Sequence, residues 1–261
     1  MAERTEMVVA VKAYPSISKR YGETVCVAGI RTDRDQPEWV RLFPVAFREL
    51  HYADRFKKYQ RMTLDVTEAS DPRPESAKPI LDTINLGDVI KPGRDWRERR
   101  ALVEPLMLES MCQMRELQRV DGRSLGIFRP AEVTDFSWEA VEDDWDDEQQ
   151  AIVDQPSLFL PGKTSLEKIG YRFRYHYRCA DPSCDGHKQT IVDWELAESY
   201  RSWRAQYPNE QVLLDKLRER WLQTMCGPER DTAFIVGNQF RNHDGFLVLG
   251  VFWPPARATG E

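Results

Sequence analysis

Two cysteines and a histidine stand close together in the second half of the chain, in the string HYRCADPSCDGH. Cys179, Cys184 and His187 form the pattern C-x4-C-x2-H, with proline and glycine between them to supply tight turns. Thiolate sulfur and imidazole nitrogen are the ligands that hold Zn²⁺ in structural sites, which are usually tetrahedral. The pattern therefore predicts three ligands of a structural zinc site and leaves the fourth to be found.

The arrangement resembles a zinc knuckle, and the nearby candidates for the fourth ligand are His176, Cys226 and His243. His176 is disfavoured if it lies on a strand with Cys179, because an offset of three residues points it to the opposite face. Cys226 is the preferred fourth ligand. The alternative, a metal-free cluster of buried thiols, stays open because a domain of this size can fold without metal.

Carboxylates follow the cysteine motif directly and offer a different chemistry. Asp193 and Glu195 lie two residues apart in IVDWEL, close to His187 in the sequence. Acids that converge on Mg²⁺ would permit a metal-dependent nuclease, but restriction-type nucleases resemble D…D/E-x-K and position 197 is alanine. We expect Asp193 to cap a helix instead. A nuclease using His187, Asp193 and Glu195 remains the alternative, and the sequence favours a protein without catalytic activity.

Basic and aromatic residues alternate near the N-terminus, as in KAYPSISKRYG, WVRLF and RFKKYQR. Nucleic-acid binding needs this combination, because Lys and Arg neutralise phosphates while aromatic rings stack on unpaired bases. The predicted nucleic-acid-binding residues are Lys19, Arg20, Tyr21, Trp39, Arg41, Phe43, Lys57, Lys58 and Arg73.

Three of these residues are predicted to form a row on one strand. Trp39, Arg41 and Phe43 alternate with Val40 and Leu42, so they project from the opposite face of a pleated strand. An OB-like barrel is one fold that presents such a row to oligonucleotides. The competing interpretation places Trp39 and Phe43 in the core, with Arg41 paired to an acid at the rim.

Charge is strongly segregated along the 261 residues, whose net charge is -6. Residues 8–63 carry eleven Lys and Arg against six Asp and Glu, whereas residues 131–162 carry ten acids and no Lys or Arg. The overall negative charge therefore does not exclude a nucleic-acid partner. No apolar run long enough to span a membrane and no secretory signal is present, so we expect a cytoplasmic protein.

The elements that position these residues indicate an α+β fold. Short strands rich in Val, Ile, Thr and aromatics occupy the first 70 residues, and apolar residues at steps of three and four predict one long helix from Asp95 to about Val120. We predict a β-rich domain over 1–137, an acidic tether over 138–163, and a smaller β-plus-helix domain containing the Cys/His motif over 164–261.

The tether ends in an apolar peptide, QPSLF, in which Gln155, Leu158 and Phe159 spell Q-x-x-L-F. This resembles the short peptide by which many bacterial repair and replication proteins bind the DNA sliding clamp. The resemblance implies that the Gln155 amide is the polar anchor and that Leu158 and Phe159 fill an apolar pocket. The alternative is that the segment packs back on one of the domains.

Together these features predict a bacterial nucleic-acid-binding protein of DNA replication, repair or defence. Its basic β-domain would bind DNA or RNA, its tether would recruit a sliding clamp, and zinc would stabilise its C-terminal domain. A protein-interaction module without nucleic acid is a further alternative, which the salt dependence of binding would distinguish.

Overall fold

The computed structural model of the protein describes residues 1–141, 145–153 and 165–257, in which strands make up 43% and helices 24% of the chain. The fold is mixed α+β, as predicted. The N-terminal six strands are β1 (Glu3–Lys12), β2 (Ser16–Ser18), β3 (Gly22–Arg31), β4 (Glu38–Val45), β5 (Gln60–Glu68) and β6 (Ser76–Val89).

Five of these strands form a closed barrel in the order β1-β5-β6-β4-β3, because β1 also pairs with β3. Met7 lies opposite Met62 of β5 and opposite Arg31 of β3, so β1 closes the barrel. The β4–β6 pair is parallel and the other pairs are antiparallel. This five-stranded barrel is consistent with the predicted OB-like fold.

The remainder of the chain follows with short helices and a second set of strands. In order these are α1 (Arg97–Val103), β7 (Met107–Leu108), α2 (Met111–Asp121), β8 (Leu125–Phe128), β9 (Glu132–Ala140), α3 (Asp147–Val153), β10 (Tyr171–Arg178), β11 (His187–Thr190), α4 (Trp194–Trp203), α5 (Glu210–Arg218), β12 (Ala233–Gln239) and β13 (Asn242–Phe252). They form a four-stranded sheet β13-β12-β8-β7 and a three-stranded sheet β11-β10-β9.

The prediction of one long helix between Asp95 and Val120 is wrong. The chain forms α1 and α2 instead, separated by a 3₁₀ turn at Glu104–Leu106 and by strand β7. Pro105 lies in that turn and has no backbone N–H to continue a helical ladder. Ser110 then caps α2 by accepting a hydrogen bond from the Gln113 amide at 3.0 Å, so the second helix has its own start.

The barrel strands bury apolar side chains on both of their faces. Met62, Leu64 and Val66 face the barrel interior with Val40 and Leu42, as their alternation predicts. The opposite face of β1 and β3 packs against the four-stranded sheet, and each large apolar side chain buried there contributes roughly 1.5–3 kcal/mol. This outer layer includes Val8, Ala28, Ile30, Leu125, Ile127, Ile235 and Leu249.

The predicted division into residues 1–137, 138–163 and 164–261 stays a prediction. Strand β9 continues to Ala140, beyond the first proposed boundary, and pairs with β10, while β8 pairs with β12. Strands β8 and β9, which the prediction assigned to the first domain, are therefore hydrogen-bonded to strands of the later part of the chain. In the described part of the chain, no helix combines the length and the apolar character needed to cross a bilayer.

Candidate functional site

Three cysteines and one histidine converge on one point next to α2 and β11. The ligand atoms of Cys112, Cys179, Cys184 and His187 all lie within 4.8 Å of one another. His187 Nε2 is 3.3 Å from the Sγ atoms of Cys179 and Cys184, and 3.6 Å from that of Cys112. A zinc tetrahedron with Zn–S of about 2.3 Å and Zn–N of about 2.1 Å has S···N edges of roughly 3.5 Å. The four residues therefore fit a closed structural zinc site.

Four different positions in the fold supply these ligands. Cys112 lies in the first turn of α2, two residues after the Ser110 cap. Cys179 follows the last residue of β10, and His187 is the first residue of β11. Strands β10 and β11 form an antiparallel hairpin in which Tyr177 lies opposite His187. The hydrogen bonds between the two strands therefore fix the position of His187 relative to the end of β10, where Cys179 follows.

The loop between β10 and β11 folds tightly around its own hydrogen bonds. The Asp181 carboxylate accepts from the Ser183 amide at 2.8 Å, and the Cys179 amide donates to Cys184 Sγ at 3.4 Å. Gly186 has a φ of +96°, a left-handed conformation that glycine adopts without a Cβ penalty. These bonds orient Cys184 toward the other sulfur atoms.

The electrostatics of the cluster suit a cation. Burial raises the pKa of Cys112 to about 12, and burial also raises the pKa of Cys179. Burial acts to raise the pKa of Cys184 too, but the backbone N–H groups of Cys179 and Gly186 lower it overall. Three thiols at this separation cannot readily ionise together unless a positive ion compensates their charge.

Side chains around the cluster hold the histidine in place. The Tyr177 ring stacks on His187 with centroids 5.0 Å apart, and its hydroxyl donates to Gln189 Oε1 at 2.5 Å. Burial lowers the pKa of His187, which favours the neutral imidazole that binds metal. Gln189 in turn donates to the Met111 sulfur at 3.5 Å, linking β11 to α2.

Two of the predicted nucleic-acid-binding arginines, Arg41 and Arg73, lie inside the protein. Arg41 is 2% exposed, and its guanidinium donates to the carbonyl and hydroxyl of Ser124 at 2.9 and 3.0 Å. Arg73 pairs with Asp71 and donates to the Asn238 carbonyl at 2.7 Å. The structure therefore contradicts a phosphate-binding role for Arg41 and Arg73, because their donors are engaged in holding the barrel to the second sheet.

The predicted Trp39, Arg41 and Phe43 row does point away from the barrel interior, but the outer layer covers much of it. Trp39 packs against the outer hydrophobic layer and lines a groove of about 450 Å³ with Pro37, Pro74 and Met107. An open aromatic-basic-aromatic face is thus the wrong description. The alternation of residues along β4 correctly predicts which side chains share a face. It does not predict that the four-stranded sheet covers much of that face.

A smaller basic and aromatic group stays accessible at the hairpin between β2 and β3. Lys19 and Arg20 are exposed, and the Arg20 guanidinium carbon lies 5.1 Å from the Tyr21 ring centre. Tyr21 is 36% exposed and meets Phe43 edge-on, with ring centroids 5.7 Å apart. Lys19 forms an exposed ion pair with Glu148 of α3. We call Lys19, Arg20, Tyr21 and Phe43 the hairpin patch.

The two predicted lysines of the RFKKYQR segment have different surroundings. Lys57 is exposed. The Lys58 ammonium lies 3.3 Å from Glu195 Oε2 and 3.9 Å from Asp193 Oδ2. Burial acts to lower the pKa of Lys58, but Glu195 and Asp193 raise it overall. Lys58 is therefore paired with acids, and the structure contradicts its assignment to a free phosphate-binding surface.

Family models cover nearly the whole chain. One, described as a domain of unknown function, DUF8757, matches residues 107–261, which is more than half of the sequence. The chain belongs to the DUF8757 family. A second model, the domain of unknown function DUF8758, matches residues 3–105. No curated protein matches the chain.

One of the similar solved structures is a murine DNA-binding protein bound to double-stranded DNA. It aligns over 99% of both chains with 8% sequence identity and a TM-score of 0.31. A score this low supports no conclusion about function. The four ligand residues of the Cys/His cluster all lie in the DUF8757 region, whereas the barrel strands lie in the DUF8758 region.

In the DUF8757 region the structure corrects the predicted fourth zinc ligand. Cys226 lies outside the cluster: its thiol donates to the Trp221 carbonyl at 3.4 Å, and burial raises its pKa to about 12. His176, also weighed for this place, has its Nε2 2.8 Å from Ser137 Oγ. Cys112 takes the position because α2 packs its first turn against the β10–β11 hairpin.

The sequence carried only a weak signal for Cys112. It lies 75 residues before His187, so no local spacing connects the two. Its place two residues after the capping serine, in the first turn of a helix, is the one cue that could have singled it out, because a thiolate is favoured near a helix N-terminus.

In the part of the chain that the structure describes, His187, Asp193 and Glu195 do not form one metal-binding group. His187 belongs to the Cys/His cluster, and Asp193 caps α4 by accepting from the Glu195 amide at 2.8 Å, which confirms its predicted capping role. Within the described ranges, neither Asp193 nor Glu195 is part of a group of three potential metal ligands. Gln155, Leu158 and Phe159 of the predicted docking peptide lie outside the described residues.

Proposed function

We propose that this DUF8757 protein is a zinc-containing nucleic-acid-binding protein whose contact surface is the hairpin patch. The observation that carries the proposal is the exposed Arg20–Tyr21 pair on the connection between the first two barrel strands, with half-buried Phe43 of β4 edge-on to the Tyr21 ring. A flat ring with an adjacent guanidinium can stack on an unpaired base while the cation compensates its phosphate.

The position of the patch on the barrel supports the proposal. In OB-like barrels, oligonucleotides bind across the second and third strands and the loops beside them, including the loop between strands one and two. Here those barrel strands are β3 and β4, and the hairpin formed with β2 occupies that loop. Since the four-stranded sheet covers much of the outer face, the loop side offers the accessible part of this surface.

Single-stranded nucleic acid is the form that suits the patch best. Tyr21 can stack only on a base whose face is open, and base stacking is worth about 1–3 kcal/mol per base. The patch presents no array of polar side chains for reading base edges, so we expect little sequence preference.

Zinc would stabilise the fold of the protein without taking part in nucleic-acid binding. The Cys/His cluster joins α2 to the β10–β11 hairpin, and a closed four-ligand site leaves no position for a substrate. Metal binding would therefore contribute to folding free energy. We assign the cluster a structural role.

Binding of the full chain to labelled single-stranded oligonucleotides at several salt concentrations tests the proposal. We expect affinity to fall steeply with added salt, with a slope that reflects a few phosphate contacts. Absence of binding at low salt would overturn it. A matched duplex measures the preference for unpaired bases.

Recruitment to a sliding clamp is a separate proposal that rests on the peptide motif Q-x-x-L-F at Gln155, Leu158 and Phe159. Pull-down of a clamp by the full chain, compared with Phe159→Ala, tests it. Loss of capture at an unchanged melting temperature supports docking, whereas a large drop in melting temperature indicates that Phe159 is packed in the protein.

A further inference from the structure

The amine of Lys12 lies in an aromatic pocket at the end of β1. Its Nζ is 4.1 Å from the centre of the Phe47 ring, 5.1 Å from that of Trp194 and 5.8 Å from that of Phe56. It donates one hydrogen bond, to the Phe56 carbonyl at 3.2 Å. The pocket joins the barrel to the start of α4, because the Tyr14 amide donates to the Val192 carbonyl at 2.8 Å.

Ionisable groups gather around this pocket. Lys12 interacts electrostatically with Glu195, Asp193 and Glu198, and with the second cation Lys58. Glu195 is half exposed, so it connects the group to solvent. The Lys58 ammonium lies between the carboxylates of Glu195 and Asp193.

Two buried polar atoms of the group have unsatisfied hydrogen-bonding capacity. Asp193 is 3% exposed, and its Oδ2 has no hydrogen-bond partner among the described residues; the same holds for the buried hydroxyl of Tyr59, whose ring centre lies 5.8 Å from the Lys58 ammonium. Tyr59 has a φ of 61°, an unfavourable conformation for a bulky residue. Unpaired buried polar groups and local backbone strain are concentrated at functional sites.

The environment of Lys12 makes the neutral, nucleophilic amine more abundant than it is in an exposed lysine. Burial lowers the pKa of Lys12 to about 8, and Lys58 acts in the same direction against the raising effect of the acids. Desolvation in an apolar pocket and a neighbouring cation are the two ways in which proteins activate lysine for attack on carbonyl groups. Burial also raises the pKa of Asp193 to about 6, so this carboxyl can exchange protons near neutral pH.

We propose that Lys12 is a nucleophilic amine that condenses with an aldehyde, as presented by the open form of an abasic nucleotide. The choice of an abasic nucleotide rests on the proposed function, because β1 ends at Lys12 and the next strand, β2, leads to the turn that carries Arg20 and Tyr21. The aldehyde chemistry itself rests on the pocket alone.

The condensation needs no oxidant or reductant. Lys12 Nζ forms a bond to the carbonyl carbon, and a proton moves from nitrogen to the carbonyl oxygen to give a carbinolamine. The C–O bond then breaks, the hydroxyl takes up a second proton and leaves as water, the nitrogen loses its remaining proton, and a carbon–nitrogen double bond remains. We assign the proton transfers to Glu195, a half-exposed carboxylate that interacts electrostatically with Lys12.

Reductive trapping of the full-length protein tests this proposal with two probes. One is a single-stranded oligonucleotide with one abasic site, and the other is free 2-deoxyribose 5-phosphate, each with sodium cyanoborohydride. Peptide mass mapping locates the adduct. We expect one dominant adduct on Lys12 with both probes, reduced at least tenfold in Lys12→Arg and unchanged in the control Lys91→Arg, an exposed lysine elsewhere.

The outcomes separate this proposal from the proposed function. Adducts spread over exposed lysines and unaffected by Lys12→Arg would overturn it, as would salt-sensitive binding of the oligonucleotide without any adduct on Lys12. Labelling of Lys12 by the sugar but not by the oligonucleotide supports the reactive amine and counts against the nucleic-acid proposal. Lys12→Arg keeps a cation and a donor for the Phe56 carbonyl; Glu195→Gln, a second variant at a half-exposed position, should slow trapping with an unchanged melting temperature.

Discussion

Cys112 and His187 are separated by 75 residues in the sequence, yet the Sγ of one lies 3.6 Å from the Nε2 of the other. This contact joins the start of α2 to the start of β11 and completes a set of four soft ligands. Because Cys179 and Cys184 already lie beside His187, the metal-binding capacity of the protein depends on how α2 packs. A metal at this point would tie three segments of the chain together.

Replacing Cys112 tests this arrangement against the one expected from the sequence. Cys112→Ser should lower bound zinc from about one equivalent to less than half and should lower the melting temperature, because the site loses a thiolate. Cys226→Ser, the matched control, should keep its zinc. Elemental analysis of both purified variants measures the difference, and loss of zinc in Cys226→Ser alone would contradict the structure.

Removal of metal should destabilise the folded protein. A structural site contributes its binding free energy to folding, so a strong chelator should lower the melting temperature by several degrees and added Zn²⁺ should restore it. Thermal unfolding followed by circular dichroism provides the measurement. An unchanged melting temperature after complete removal of zinc would show that the cluster is not structural.

Arg41 should affect stability and not nucleic-acid binding. Arg41→Ala removes the hydrogen bonds from its guanidinium to the Ser124 carbonyl and hydroxyl, and bonds from a charged group contribute about 1.5–3 kcal/mol each, although the carbonyl still accepts from the Asn238 amide. We expect a drop of roughly 2–4 kcal/mol in the free energy of unfolding, measured with urea. Arg97→Ala, at an exposed arginine, should change it by less than about 0.5 kcal/mol. If Arg41→Ala were as stable as the wild type but bound nucleic acid more weakly, Arg41 would belong to the binding surface after all.

Asp193 should act as a helix cap that does not require its charge. Asp193→Asn keeps the acceptor for the Glu195 amide and should be close to neutral, whereas Asp193→Ala should cost about 0.5–2 kcal/mol. Urea unfolding of both variants at pH 7 provides the comparison. Equal losses in the two would indicate that the charge interaction with Lys58 outweighs the cap.

The reactivity of Lys12 should depend on pH with a defined sign. Its pKa of about 8 means that the neutral amine increases about ninefold from pH 6 to pH 7 and about fivefold from pH 7 to pH 8, and then levels off. Competitive labelling with an amine-specific reagent, read out by mass spectrometry with exposed Lys91 as the internal reference, measures this profile. A labelling rate for Lys12 that still climbs between pH 9 and 10 would contradict the depressed pKa.

Much of the barrel could be predicted from the sequence. The alternation of Met62, Leu64 and Val66 identifies their shared face, and it correctly places Val40 and Leu42 in the interior with them. Local spacing likewise identified Cys179, Cys184 and His187 as one cluster. Both predictions depend on residues that are neighbours within one or two elements, where backbone geometry alone brings side chains together.

The remaining features depend on packing between distant elements. Alternation shows that Trp39 and Arg41 share a face, but it does not show that the four-stranded sheet covers that face. In the same way, nothing near Cys112 in the sequence indicates that α2 would deliver it to the β10–β11 loop. The Lys12 pocket was missed for this reason too, since its walls come from the barrel and from α4.

The most direct test of the central claim is the affinity of Tyr21→Ala and Tyr52→Ala for a labelled single-stranded oligonucleotide, measured by fluorescence anisotropy. Tyr52 is 84% exposed but lies outside the hairpin patch, so it controls for loss of an exposed ring. We predict that Tyr21→Ala weakens binding by roughly 5- to 150-fold, the range expected for one lost stacking contact, and that Tyr52→Ala binds like the wild type. Equal affinity of wild type, Tyr21→Ala and Tyr52→Ala would contradict the account.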